Sequence, residues 1–117
     1  MISHDLINEN IKDSHLLLHP SLEESFGVVL IEAMSFGVPT IGGNNSGAVP
    51  WVVNDENLLV DVKNPVEMAN KMFELLANVD LYRNSAISGY LNVSSRFSST
   101  VVTNSYLDYY NEILNRN

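Results

Sequence analysis

The spacing of apolar and polar positions predicts short strands alternating with helices. Residues 15–19 (HLLLH) form a brief apolar run stopped by Pro20, which reads as a buried strand. Residues 27–36 (GVVLIEAMSF) are apolar nearly all round. Ala33, Met34 and a stop at Gly37 ahead of Val38-Pro39 favour a helix there over a strand, and a helix apolar on every side is expected to be buried. Residues 38–42 (VPTIG) read as a second strand with Pro39 near its start, and residues 57–61 (NLLVD) as a third. Residues 43–47 (GNNSG) form a loop, and residues 48–54 a short helix or turn with Pro50 in its first turn.

The flanks are helical. A short first helix is expected over residues 5–12. Asn64, Pro65 and Glu67 give an N-cap, a first-turn proline and an acidic third position for a helix running to about residue 78. Its inward residues are expected to be Val66, Ala69, Met72, Phe73 and Leu76. Asp80 is expected to cap the next helix, ending near residue 91 or 92. Ser98 or Ser99 starts a last one, with Val102, Tyr106, Tyr109, Tyr110 and Ile113 on a packing face.

This order predicts an α/β fold: a partial Rossmann-like domain with a small parallel sheet flanked by helices and a helical C-terminal tail. Three strands are few for that many helices, so the 117 residues are expected to be a single partial domain, part of a larger one. Cysteine is absent, which excludes a disulfide scaffold, a Cys-ligated zinc site and thiol catalysis. The formal charge of -8 argues against nucleic acid as a partner. No apolar run approaches the ~20 residues of a membrane span. With no signal-peptide pattern at the start, a cytoplasmic setting is expected.

Charge is also unevenly placed. No Lys or Arg lies between Lys12 and Lys63, and from Ser25 to Asn54 the only charged residue is Glu32. A carboxylate in such an apolar window costs several kcal/mol unless it has a partner (roughly;), so it calls for a reason. In an open parallel sheet, ligands sit beyond the carboxyl ends of the strands. The loop after His19 lies there, with the amides of Phe26, Gly27, Val28 and Val29 at the start of the next helix. Unpaired N–H groups and the positive end of the helix dipole make an anion site suited to phosphate. Glu24 precedes that helix and Glu32 lies inside it, roughly 8 Å along the axis from its start. Two carboxylates flanking a phosphate site match a ligand of ribose, diphosphate and sugar.

The stretch Glu24-Ser-Phe-Gly-Val-Val-Leu-Ile-Glu32 resembles the E-x7-E signature of the retaining glycosyltransferases of family 4, enzymes with the GT-B fold of two Rossmann-like domains. Pro20-Ser21 before it, and Ala33-Met34, Gly37 and Pro39 after it, match the same pattern. The resemblance runs from about His15 to Met72 and more loosely into the tail. It implies that Glu24 contacts hydroxyls of the transferred sugar near the reacting carbon and is the catalytic candidate. It implies that Ser25, Phe26, Gly27, Val28 and Val29 cradle the donor diphosphate and that Glu32 binds the ribose hydroxyls. Neither a metal nor a resident cofactor is expected; the nucleoside-diphosphate sugar is the donor substrate. In an intact enzyme the acceptor would be a hydroxyl of a glycan or glycolipid, with polysaccharide biosynthesis as the setting and the inner membrane as a peripheral location.

Two departures qualify the likeness. Trp51 follows Pro50 where the family often has an acidic residue. The N-terminal acceptor domain and the family's phosphate-contacting Arg and Lys have no counterpart here, so the chain alone is expected to be inactive. The bland readings are a capping box at Ser21-Leu-Glu-Glu24, packing roles for His15 and Trp51, and an open choice between packing and ligand contact for His19, Gly42 and Gly43. The rival function is a non-catalytic α/β interaction module that keeps the motif as a remnant and self-associates through exposed apolar surface. A glycosidase using Glu24 and Glu32 fits less well, because it leaves the helix terminus unused.

Overall fold

The computed structural model describes residues 4–23 and 27–115. Its elements run α1 (His4–Lys12), β1 (Leu17–Leu18), α2 (Val28–Ser35), β2 (Thr40–Gly43), α3 (Val49–Val53), a 3-10 turn (Glu56–Leu58), β3 (Leu59–Val60), α4 (Pro65–Ala77), α5 (Val79–Arg96) and α6 (Ser99–Asn115). The strands form one parallel sheet in the order β1-β2-β3. The register is staggered: Thr40 and Ile41 face Leu17 and Leu18, whereas Gly42 and Gly43 face Leu59 and Val60. The ladder is extended by His19 N–H donating to the Ile41 carbonyl (2.9 Å) and Asn44 N–H to that of Val60 (2.8 Å). The expected α/β order is therefore present, with strands shorter than their apolar runs.

The core gathers on β2 and α2. Ile41, Leu30, Val49 and Val52 are wholly enclosed, and Met34, Val60 and Leu75 nearly so. Gly42 allows α3 to lie directly on β2, and Gly43 admits the loop that leads into α3. A Cβ on Gly42 would stand 2.3 Å from Val49 Cγ1, and one on Gly43 would stand 1.8 Å from Ser46 Oγ. Both glycines thus serve close packing. α2 also packs on α5, where Gly89 faces Met34. It is not buried all round, however: Val28 in its first turn is 55% exposed.

α2 stops as its sequence predicts. Gly37 adopts φ +72°, its N–H reaches the Met34 carbonyl, and the Val38 N–H reaches that of Ala33, each at 3.0 Å. This is the Schellman arrangement, and Ala33 and Val38 pack together in a small cluster with Ile11, supplying its usual apolar contact.

The C-terminal helices differ more from expectation. Asn64 caps α4 through its side chain, which accepts from Glu67 N–H, but the buried face of α4 is the one bearing Leu75, with Met68 and Met72 half-buried. Val66, Phe73 and Leu76 point outward. Asn78, not Asp80, caps α5: its side chain accepts from Leu81 N–H at 3.0 Å, and the same residue ends α4. α5 continues to Arg96, held there by tertiary bonds. Arg96 donates to the Trp51 carbonyl (2.8 Å) and to Asn92 Oδ1 (2.7 Å), while its guanidinium lies over the Trp51 ring. Asn92 Nδ2 in turn donates to the Val52 carbonyl at 2.9 Å, tying off the end of α3. Trp51 also meets Phe97 edge-on at 5.4 Å, so its role here is packing. On α6, Tyr109, Tyr110 and Ile113 are exposed; the side chains of Val102 and Tyr106 lie outside the described residues. The molecule is accordingly drawn out to 56 × 35 × 28 Å. No helix among the described residues is long and apolar enough to cross a membrane.

Candidate functional site

The start of α2 is the feature that sequence reasoning singled out. Gly27 is its N-cap, buried and left-handed at φ 79° and ψ 45°. A residue with a Cβ is strained by about 1–2 kcal/mol in that conformation. Gly27 itself brings no side chain to cap the helix. The Gly27 carbonyl already receives Leu30 N–H (3.0 Å) and Ile31 N–H (3.2 Å), so the amides of Val28 and Val29 are the first ones left without a helical carbonyl. Ser21 does not form the capping box: its hydroxyl donates to the Glu23 carbonyl at 2.7 Å, and the helix starts well beyond it.

Glu32 sits in the second turn of α2, half-buried beside the enclosed Ala33. Its carbonyl accepts from Ser35 Oγ at 2.6 Å. Glu24, Ser25 and Phe26 lie outside the described residues. Of the expected set, the structure therefore positions Gly27, Val28, Val29 and Glu32 on one helix. His15 is exposed and its carbonyl accepts from the Tyr82 hydroxyl, a structural role. His19 closes the β1 ladder through its backbone.

Sequence reasoning placed the loop after His19 beyond the strand ends but did not foresee that two further segments join it in a neighbouring cleft. It encloses about 900 Å³ and is bounded by residues 21–23, 44–46 and 61–63, the segments that follow β1, β2 and β3. All three leave the carboxyl ends of parallel strands, where ligands gather in such sheets. The available signal was the switch from apolar to polar after each strand: His19-Pro20-Ser21, Asn44-Asn45 and Asp61. Among the described residues no three His, Asp or Glu side chains come together as a metal-binding group.

The likenesses to known proteins bear on the same region. A family model described as glycosyl transferases group 1 matches residues 2–90. The N-acetyl-alpha-D-glucosaminyl L-malate synthase of Bacillus anthracis is 34% identical over 112 residues, covering 94% of this chain and 29% of that protein. The 2-deoxystreptamine N-acetyl-D-glucosaminyltransferase of Niallia circulans is 31% identical over 110 residues, covering 93% and 28% respectively. The solved structure of sucrose-phosphate synthase from Thermosynechococcus elongatus aligns with a TM-score of 0.85 at 25% identity, covering 100% of this chain and 30% of that one. The chain thus spans under a third of the length of these proteins. The parallel sheet, the glycine-led helix behind β1 and these likenesses agree: the chain belongs to the group 1 glycosyl transferases and is built as a part of their GT-B fold.

Proposed function

We propose that this chain is the donor-binding part of a retaining glycosyltransferase that moves a sugar from a nucleoside-diphosphate sugar to a hydroxyl acceptor. The observation that carries this reading is the start of α2, where left-handed Gly27 is followed by the amides of Val28 and Val29, which meet no carbonyl among the described residues. A diphosphate seated there accepts from those amides at the positive end of the helix dipole. As the bond to the sugar breaks, negative charge grows on the departing diphosphate. Amides already aimed at that oxygen stabilise it without reorganising. Glu32 accepts from the ribose hydroxyls and Glu24 from hydroxyls of the transferred sugar, with Ser25 and Phe26 completing the cradle. The reading assigns no resident cofactor. The acceptor, a hydroxyl of a glycan or glycolipid on the cytoplasmic side, belongs to the whole enzyme, and the chain alone binds donor without turning it over.

Calorimetric titration of UDP, GDP and ADP into the chain tests this. One nucleotide is expected to bind, and Glu32→Gln to weaken it at least tenfold, since a hydrogen bond to a charged group contributes about 1.5–3 kcal/mol. A folded chain that binds none of the three has no preformed donor site. A second reading, a module that works by association, draws on the exposure of Val66 (67%) and Phe73 (75%). Light scattering that finds a monomer with nucleotide affinity counts against it.

A further inference from the structure

α4 carries a second apolar stripe that the fold leaves bare. Leu75 is its buried residue, with Met68 and Met72 half-buried, whereas Val66, Ala69, Phe73 and Leu76 are exposed on its outer side. Val79, just past the helix end, is exposed as well. The outer face of a solvated helix is ordinarily polar, and a continuous apolar row there marks a contact surface. The row steps by three, four and three residues, the spacing of a seam between two helices. It also reads the same from either end. Two copies of α4 laid antiparallel therefore match position by position: Val66 meets Leu76 of the second copy, and Phe73 meets Ala69. In the latter contact a large ring lies over a single methyl group, so the two helices can approach closely.

Charge points to the same partner. A formal charge of -8 opposes self-association in general, so a surface shared by two copies must avoid like-charge contacts. Asn70 and Ala77 beside the row are uncharged, and Glu74 is already paired with Lys71 at 3.1 Å. In the antiparallel register, position 63 before the helix falls beside position 79 of the second copy, just after its helix. Lys63 and Asp80 are exposed, and neither side chain has a partner among the described residues. Each end of the seam then sets the ammonium of one copy against the carboxylate of the other, and the two-fold axis repeats the pair. A parallel arrangement would instead set Lys63 against Lys63 and Asp80 against Asp80.

We propose that the outer face of α4 is a self-association surface whose occupant is a second copy of this chain, antiparallel and related by a two-fold axis. A seam of about three helical turns buries less than the ~1,200 Å² of stable complexes, so the dimer is weak and the chain is monomeric at low micromolar concentration. The proposal rests on neither reading of the function, since neither Gly27 nor Glu32 belongs to the seam.

Sedimentation velocity of the full chain from about 10 μM to about 1 mM tests it. The average mass is expected to rise with concentration from that of one chain toward that of two. Phe73→Ser is expected to keep its circular dichroism spectrum and remain a monomer throughout. Lys63→Asp and Asp80→Lys, each alone, replace both attractive pairs by repulsive ones and should dimerise about tenfold more weakly. An equal mixture of these two variants restores opposite charges at both ends and should associate as the parent does. A parent that stays monomeric over the whole range overturns the proposal and leaves the face to a different protein. Dimerisation that survives Phe73→Ser overturns it too, because the contact then lies elsewhere, as on the exposed tyrosines of α6. A mixture that associates no better than its components refutes the antiparallel register. Nucleotide titration at low micromolar concentration, where the chain is a monomer, decides the donor reading separately.

Discussion

Replacing Gly42 with Ala puts a methyl group where the fold has no room. The new Cβ would lie 2.3 Å from Val49 Cγ1, with Val53 Cγ2 at 3.8 Å behind it. Val49 is fully enclosed, so it has nowhere to retreat. Overpacking of this kind costs about 1–3 kcal/mol. Losing a strand glycine returns about 0.5–1 kcal/mol of backbone entropy, which is too little to change the sign. Val49→Ala alone costs about 2 kcal/mol, from lost burial plus the cavity it leaves. In the double variant the methyl added at position 42 occupies part of that cavity, and the clash that Gly42→Ala creates is gone. The pair should therefore cost about 1–2 kcal/mol less than the sum of the singles. Urea unfolding of the four proteins, followed by circular dichroism, measures this cycle. Costs that add to within about 0.5 kcal/mol, or a Gly42→Ala protein as stable as the parent, would refute the argument that α3 rests on a bare β2.

Gly37→Ala meets no atom within 4 Å, so its cost should be backbone strain alone, about 1 kcal/mol at φ +72°, read in the same urea assay. Gly37→Asn should cost less, because Asn tolerates the left-handed region. Asn64→Ala removes the cap on Glu67 N–H and should lower stability by about 1 kcal/mol; an unchanged midpoint would mean that the first turn of α4 is held otherwise. Phe73→Ser should change stability by no more than about 0.5 kcal/mol, since the ring is 75% exposed, and a large loss would return Phe73 to the core.

The alternation of elements was legible because several changes of element carry a local signal: Pro20 after the first run, Gly37 after α2, and Asn64-Pro65 before α4. The inward face of α4 was not. Its sequence has two apolar stripes, Val66-Ala69-Phe73-Leu76 and Met68-Met72-Leu75, and periodicity alone does not rank them. Contact with the core selects the second. The end of α5 was hidden for a similar reason, because Arg96 and Asn92 are fixed by carbonyls on α3, more than thirty positions away in sequence. Gly27 and Glu32 could be found from one continuous motif. The cleft residues could not, because Asn44, Asn45, Asp61 and Lys63 belong together only once the three strands lie parallel.

The parallel register has a consequence for the order in which the molecule can assemble. No strand of the sheet meets its neighbour through a tight turn: β1 finds β2 only across α2, and β3 finds β2 only across α3. Each pairing must therefore close a long loop before any ladder bond forms, and there is no hairpin to act as a local seed. As the chain leaves the ribosome, β1 has no strand partner until Thr40 has emerged, and the Gly42-Gly43 half of β2 has none until Leu59 has. The central strand is thus the last to be satisfied on both edges, and the rim of the cleft forms only when synthesis has passed all three strands.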